Sequence, residues 1–184
     1  MLLLTIISPI IQCQELTIKK TEKNKLITDN LVADLKIKKS GESWVDDTIE
    51  ANVNNNLEFK ITVNTNINYI LIAVLVELPS IGEKNMLEYI SGSSSPKPIF
   101  PIGEWFANNT AVGWMWVITG DSWDKEMTFK AKVKEPGNRQ ISLSVIGVID
   151  TDGNYDEVFD TVSIDSEKSK IKNSFINLIF KYLG

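Results

Sequence analysis

Residues 149–160, IDTDGNYDEVFD, place Asp150, Asp152, Asn154 and Asp156 at alternate positions, with Glu157 and Asp160 close behind. Oxygen-bearing side chains at every second residue of a tight loop are how EF-hand-like loops surround calcium. The match is partial: Gly153 falls two positions early against that pattern, and no Glu stands at the closing position. The same residues also suit a polar hairpin with an Asp-Gly turn, which uses acids for turn chemistry and solubility. Asp150, Asp152, Asn154 and Asp156 are the candidate metal ligands, and calcium is the one cofactor the sequence suggests.

A second kind of chemistry lies in GWMWVITGDSW, residues 113–123, which holds three of the five tryptophans of the chain. Val112, Trp114 and Trp116 share one parity along an extended segment, and Met115 and Val117 take the other. The first set is expected to face a core, where each indole buries a large area and its N–H needs an acceptor. Trp105 and Trp123 lie in or beside loops and are the candidates for stacking on a sugar face. Asn108-Asn109-Thr110 forms an Asn-x-Thr sequon, which makes Asn108 a candidate glycosylation site if the chain is secreted.

Composition removes much other chemistry. The 184 residues contain no histidine and one cysteine, Cys13. There is no Ser-His-Asp relay, no Cys-His pair and no histidine-based metal site, and no internal disulfide can form. A hydrolase built on two carboxylates stays formally open, but the acids are too many and too scattered to single out a pair. The expectation is a protein without enzymatic activity. A net charge of −5 and a pI near 4.9 argue against nucleic acid as a partner, which is held by clustered Lys and Arg.

The elements that must carry these residues have a period of two. DLKIKK offers Leu35 and Ile37 on one face, and NLEFKITVN sets Leu57, Phe59, Ile61 and Val63 against Glu58, Lys60, Thr62 and Asn64. YILIAVLVEL is almost wholly apolar and reads as a central strand. LEYI, 87–90, reads as a short edge strand, followed by a segment in which Pro96, Pro98 and Pro101 exclude ladder pairing. VGWMWVIT, EMTFKAKV, RQISLSVIGVID and EVFDTVSID complete the set, separated by the turn signals GDSWDK, EPGN and DTDGN. Seven to eight short alternating strands, each with one face to cover, predict an all-β antiparallel sandwich over residues 34–165.

The two ends read differently. Residues 1–13 combine an apolar run at 2–11 with a small or polar continuation, the outline of a secretory signal too short to span a bilayer. A buried N-terminal strand is the alternative. Residues 14–33 are lysine-rich and read as a linker or a loose first strand. In residues 166–184, Ile171, Phe175, Leu178, Ile179 and Tyr182 share a helical face, and Lys168, Lys170, Lys172 and Lys181 make the segment basic. A short C-terminal amphipathic helix is expected there, suited either to peripheral membrane contact or to docking on the sandwich or a neighbour.

Taken in order, SWVDD (43–47), LEFKITVNTNINY (57–69), VLVELP (74–79), LEYISGSS (87–94), the strand with Trp116, GDSWDKEMTFKAKV (120–133) and DEVFDTVSI resemble a family. That family is the conserved repeat domain of archaeal and bacterial surface proteins known as domain of unknown function eleven. The turn after the second of these segments carries Asn64-Thr65-Asn66 where the family has Asn-Thr-Gly, and Asn tolerates the left-handed backbone that Gly supplies. Val76-Glu77 stands in place of the family's Thr-Asp. The resemblance implies an immunoglobulin-like sandwich, an extracellular or cell-surface location, and a role in adhesion, spacing or envelope architecture. A surface protein or an envelope glycan is the partner it implies; a carbohydrate-binding module using Trp105 and Trp123 is the alternative.

Overall fold

The structure is a computed structural model, and it describes residues 30–96, 111–118 and 123–167. The described residues form strands and turns, with no helix among them. Four strands make one sheet: β1 (Leu31–Lys39), β3 (Asn56–Thr65), β9 (Asp124–Val133) and β7 (Leu87–Tyr89), in the order β1-β3-β9-β7. Five make the other: β2 (Thr48–Asn52), β11 (Tyr155–Glu167), β10 (Gly137–Val148), β4 (Leu71–Glu77) and β8 (Ala111–Val117), in the order β2-β11-β10-β4-β8. A small ribbon of β5 (Ser80–Ile81) and β6 (Lys84–Asn85) stands apart.

This is the two-sheet sandwich that the alternating pattern demands. Its first sheet turns Leu31, Ala33, Leu35 and Ile37 of β1 inward, in register with Thr65, Val63, Ile61 and Phe59 of β3. Met127, Phe129, Ala131 and Val133 of β9 continue the layer. Phe59 and Phe129 stack with centroids 4.5 Å apart and planes 5° from parallel, as their direct cross-strand pairing allows. The second sheet answers with Ile72, Val74 and Val76, Ile141, Leu143 and Val145, and Val158, Val162 and Ile164, all buried. Each such side chain contributes about 1.5–3 kcal/mol by leaving water.

Three features differ from the sequence expectation. Among the described residues nine strands form the two sheets, where seven to eight were expected. The additional strand, β2, is short and pairs in parallel with β11, Ile49 opposite Ile164, so its partner lies more than a hundred residues away. Leu31 and Ala33, from the stretch expected as a linker or a loose first strand, are buried in β1. Val32 between them faces outward. At the other end β11 continues through Glu167, so residues 166 and 167 are strand and not the start of a helix. The rest of the signal-like segment, the linker and the C-terminal helix lie outside the described residues.

The sheets are tied along the seam where β1 meets β11. Asp160 of β11 sits at an inward position, and its Oδ2 accepts the backbone N–H of Leu35 at 2.7 Å. Its Oδ1 takes the N–H of Thr161 at 2.9 Å. Beyond Leu35 the chain folds back, so that Ile37 and Val45 exchange backbone hydrogen bonds of 2.8 and 2.9 Å. Much of the free edge of β1 is thereby occupied by its own chain, which blunts the pairing hazard of an open edge.

At one end of the sandwich Tyr69 lies across Gly147 of β10. A Cβ at Gly147 would stand 2.6 Å from the ring, so a side chain there would displace the tyrosine.

Candidate functional site

The two outer faces of the sandwich differ in chemistry. On the four-stranded sheet the outward positions alternate sign: Lys38 and Lys130 both reach Glu58 at 3.1 Å, and Lys36 reaches Asp34 at 3.3 Å. The hydrogen bond from Lys130, and then that from Lys38, hold the Glu58 carboxyl below its ordinary range. Trp44, half-buried, lies on this face with the Nζ of Lys38 at 4.6 Å and of Lys60 at 5.1 Å from its ring centre. Sequence reading used Trp44 only as part of a resemblance. Its lysine neighbours come from β1 and β3, and only the fold brings them together.

The five-stranded sheet is different. Its register aligns outward side chains into rows: Val117, Leu71, Val148 and Tyr155; then Met115, Ala73, Ile146 and Glu157; then Gly113, Leu75, Ser144 and Phe159. Val117 is 78% exposed, Tyr155 56% and Phe159 53%. Antiparallel sheets ordinarily keep one face wet and polar. Here the wet face carries an apolar band across four strands. The charged residues at outward positions of this sheet, among the described residues, are Glu50, Glu77, Glu157 and Asp165, with Glu167 at the end of β11; the exposed Arg139 of β10 stands at a position of the opposite parity. Such an apolar band is the feature of the described residues most suited to meeting another surface.

Sequence reading missed this face because YILIAVLVEL looks like a strand buried on both sides. Periodicity cannot separate a doubly buried strand from one whose second face is apolar and open.

Of the four candidate calcium ligands, Asp150 and Asn154 meet side chain to side chain, and Asp156 turns to Tyr69. Asp150 closes the turn by itself: its Oδ1 accepts the N–H groups of Asp152 at 3.0 Å and Asn154 at 3.1 Å, and its Oδ2 accepts the Asn154 side-chain amide at 2.6 Å. The Asn154 amide, then the backbone bonds, hold its carboxyl below the usual range. Asp156 points elsewhere, accepting the Tyr69 hydroxyl at 2.7 Å. Asp152 contributes its backbone N–H to the turn. Among the described residues no group of three or more acidic, histidine or cysteine side chains is placed to hold a metal. The alternating acids have separate duties: an Asx turn at the hairpin tip, and an anchor for a tyrosine on the next strand.

Tyr69 is 2% exposed, and burial first, then the Asp156 carboxylate, push its phenol well above the ordinary range. A phenol that keeps its proton is a donor fixed in place. The acids with resolved shifts, Glu58 and Asp150, are lowered, whereas a general acid needs a raised pKa.

Trp114 and Trp116 turn to the core as their parity predicts, and Trp123, the loop candidate for exposure, packs there with them. Trp114 is 1% exposed, tilted against Phe129 at 6.1 Å, and its Nε1–H donates to the Pro96 carbonyl at 2.8 Å. Trp116 and Trp123 are half-buried against the core, with ring centres 5.1 Å apart and planes at 55°. Trp123 is pinned through its backbone, its N–H donating to the Thr65 hydroxyl at 2.9 Å and its carbonyl accepting the Thr65 N–H at 3.1 Å. These two rings link the sheets across one end of the sandwich and present no coplanar platform. Trp105 and the sequon residue Asn108 lie outside the described residues.

No family model matches the chain, and no curated protein matches it. Among solved structures it is similar to a cohesin module from a family 33 glycoside hydrolase of Clostridium perfringens ATCC13124, at 15% identity and TM-score 0.38, covering 74% of this chain and 98% of that one. It is also similar to the CooA pilin subunit of enterotoxigenic Escherichia coli, at 13% identity and TM-score 0.33, with 73% and 99% covered. A third is AggA, the major subunit of aggregative adherence fimbriae type I of Escherichia coli, at 10% identity and TM-score 0.38, with 77% and 98% covered. At such scores these are likenesses of outline, and the fold rests on the strand pairings described above. The chain is an all-β two-sheet sandwich, distantly similar to cohesin and fimbrial β-sandwich modules, with no family assigned to it.

Proposed function

We propose that this protein is a non-enzymatic, immunoglobulin-like β-sandwich module that works outside the cell or at its surface, in adhesion, spacing or envelope architecture. Its contact surface is the outer face of the five-stranded sheet. The observation that carries this reading is the apolar band on that face, where Val117, Tyr155 and Phe159 remain more than half exposed on a rigid ladder. Side chains held by strands lose little freedom on binding, so such a band favours association. The signal-like run at residues 2–11 and the resemblance to surface repeat domains support the location. The carbohydrate reading through Trp123 draws less support, since its ring is packed at an angle against Trp116.

Protease treatment of intact source cells, followed by fractionation of the envelope, tests both parts. The protein is expected to be digested on intact cells, and the Tyr155→Glu, Phe159→Glu variant to pass from the envelope to the soluble fraction with its melting temperature little changed. Full protection on intact cells overturns the location. Undiminished retention of the variant overturns the assigned face.

A further inference from the structure

Of the tryptophans among the described residues, Trp114 lies in the core, and Trp116 and Trp123 pack against it. Trp44 does neither. The bridge between Ile37 and Val45 brings it alongside Lys38 on the outer face of the four-stranded sheet, where its half-buried ring meets the ammonium groups of Lys38 and Lys60. We infer that this place binds an acidic polysaccharide: an anionic group carried on a sugar is held by Lys36, Lys38 and Lys60, and the sugar itself lies against Trp44. The site is on the opposite outer face of the sandwich from the apolar band and does not depend on it.

Register gives the first support. Two neighbouring rungs of this sheet read Lys38-Glu58-Lys130 and Lys36-Lys60-Thr128, four ammonium groups to one carboxylate, in a chain whose net charge is −5. In the first rung the signs alternate, and Glu58 takes both lysines at 3.1 Å. In the second, Lys36 stands directly opposite Lys60, an arrangement that costs stability. The carboxylates that reach this pair come from the next rung: Asp34 lies 3.3 Å from Lys36, and Glu126 lies 4.0 Å from Lys60, the limit of an ion pair. An anion bound between the two lysines removes their repulsion and adds charge-assisted hydrogen bonds. Spacing is the second support. Cβ atoms directly across a ladder are about 5 Å apart and diagonal ones about 7–8 Å, so the three lysines can converge on one group. Asp34 and Glu126 close the patch one rung on, which suits a single charged unit and not the run of phosphates along a nucleic acid. The ring is the third. An indole offers an apolar face with an N–H at its edge, and Trp is enriched where proteins meet partners. Held beside a cationic patch and away from the core, it matches a ligand that is part apolar ring face and part charge, and an acidic sugar is both.

Isothermal titration of the full chain with oligogalacturonate and its methyl ester, and with dextran sulfate and dextran, tests it. The expected result is that at least one charged glycan binds and its uncharged counterpart does not. Its affinity is expected to fall about tenfold in Trp44→Ala and in the Lys36→Gln, Lys60→Gln variant. Lys84→Gln, which removes the same charge from the separate ribbon of β5 and β6, is expected to bind like the wild type. Where Trp44→Ala does not fold, the lysine variant decides, because its changes are confined to the outer face. Binding of neither charged glycan overturns the inference, as does equal binding of an uncharged counterpart. So does a Trp44 or double-lysine variant that folds and binds like the wild type, or an equal loss in Lys84→Gln. Inorganic phosphate that displaces the glycan at equal concentration means an anion site without a sugar, and a preference for vesicles of anionic phospholipid over either glycan means a lipid surface; both results overturn it.

Discussion

Single side chains in this molecule draw their meaning from partners remote in sequence. Trp114 is the largest fully buried residue, and its indole N–H is satisfied by the Pro96 carbonyl. Trp114→Ala removes the ring and leaves a cavity against Phe129, and a loss of about 3–5 kcal/mol is expected from chemical denaturation. Tyr69 is a second test. With its phenol raised by burial and by Asp156, its titration in the folded protein belongs well above pH 10, and spectrophotometric titration of wild type against Tyr69→Phe should show one phenol missing only from the high-pH limb. The sign follows from linkage. The stability Tyr69 contributes is complete below the phenol's unfolded pKa of about 10 and is lost as pH rises through the higher folded value. The indole parity was plain in the sequence because it is local. The pairing of Tyr69 with Asp156 was not, since 87 residues separate them and a lone tyrosine in a turn announces no partner.

The strands were legible wherever their alternation was regular, and the illegible cases have physical causes. β3 and β9 show one apolar and one polar face and were placed by pattern alone. β2 is five residues long with two inward side chains, Ile49 and Ala51, too few for a period to register, and its support comes from the parallel ladder with β11. β4 was visible as a strand, but its open outer face was hidden because both faces are apolar. Asp160 reads in sequence as one more acid of a ligand cluster. In the fold it occupies a core-facing position on β11 and captures the Leu35 N–H of the edge strand in the opposite sheet. Asp160→Ala leaves that amide without its acceptor, and a charge-assisted bond of this kind is worth about 1.5–3 kcal/mol. Faster exchange of the β1 amides relative to those of β3 and a matching fall in the denaturation midpoint are the expected signs.

For the molecule as a whole, pH offers a further check. Glu58 is lowered by its two lysines and Asp150 by Asn154 and the turn backbone, so both contribute stability above their unfolded values of about 4 and lose it as pH falls through the lower folded ones. Glu58→Gln is therefore expected to melt below wild type near about pH 7 and to match it near about pH 2, where the wild-type carboxyl is protonated as well. The gap near neutrality should be small, within about 1 kcal/mol, because the pair is at the surface. The arrangement of the first and last described strands in chain order has a mechanical corollary. Asn30 enters β1 at the end where its carbonyl accepts the Asn66 N–H, while Glu167 leaves β11 at the far end, its carbonyl accepting the Val53 N–H. Tension between residues 31 and 167 runs lengthwise along β1 and β11, loading their ladders in shear, so the rungs resist together instead of parting one at a time.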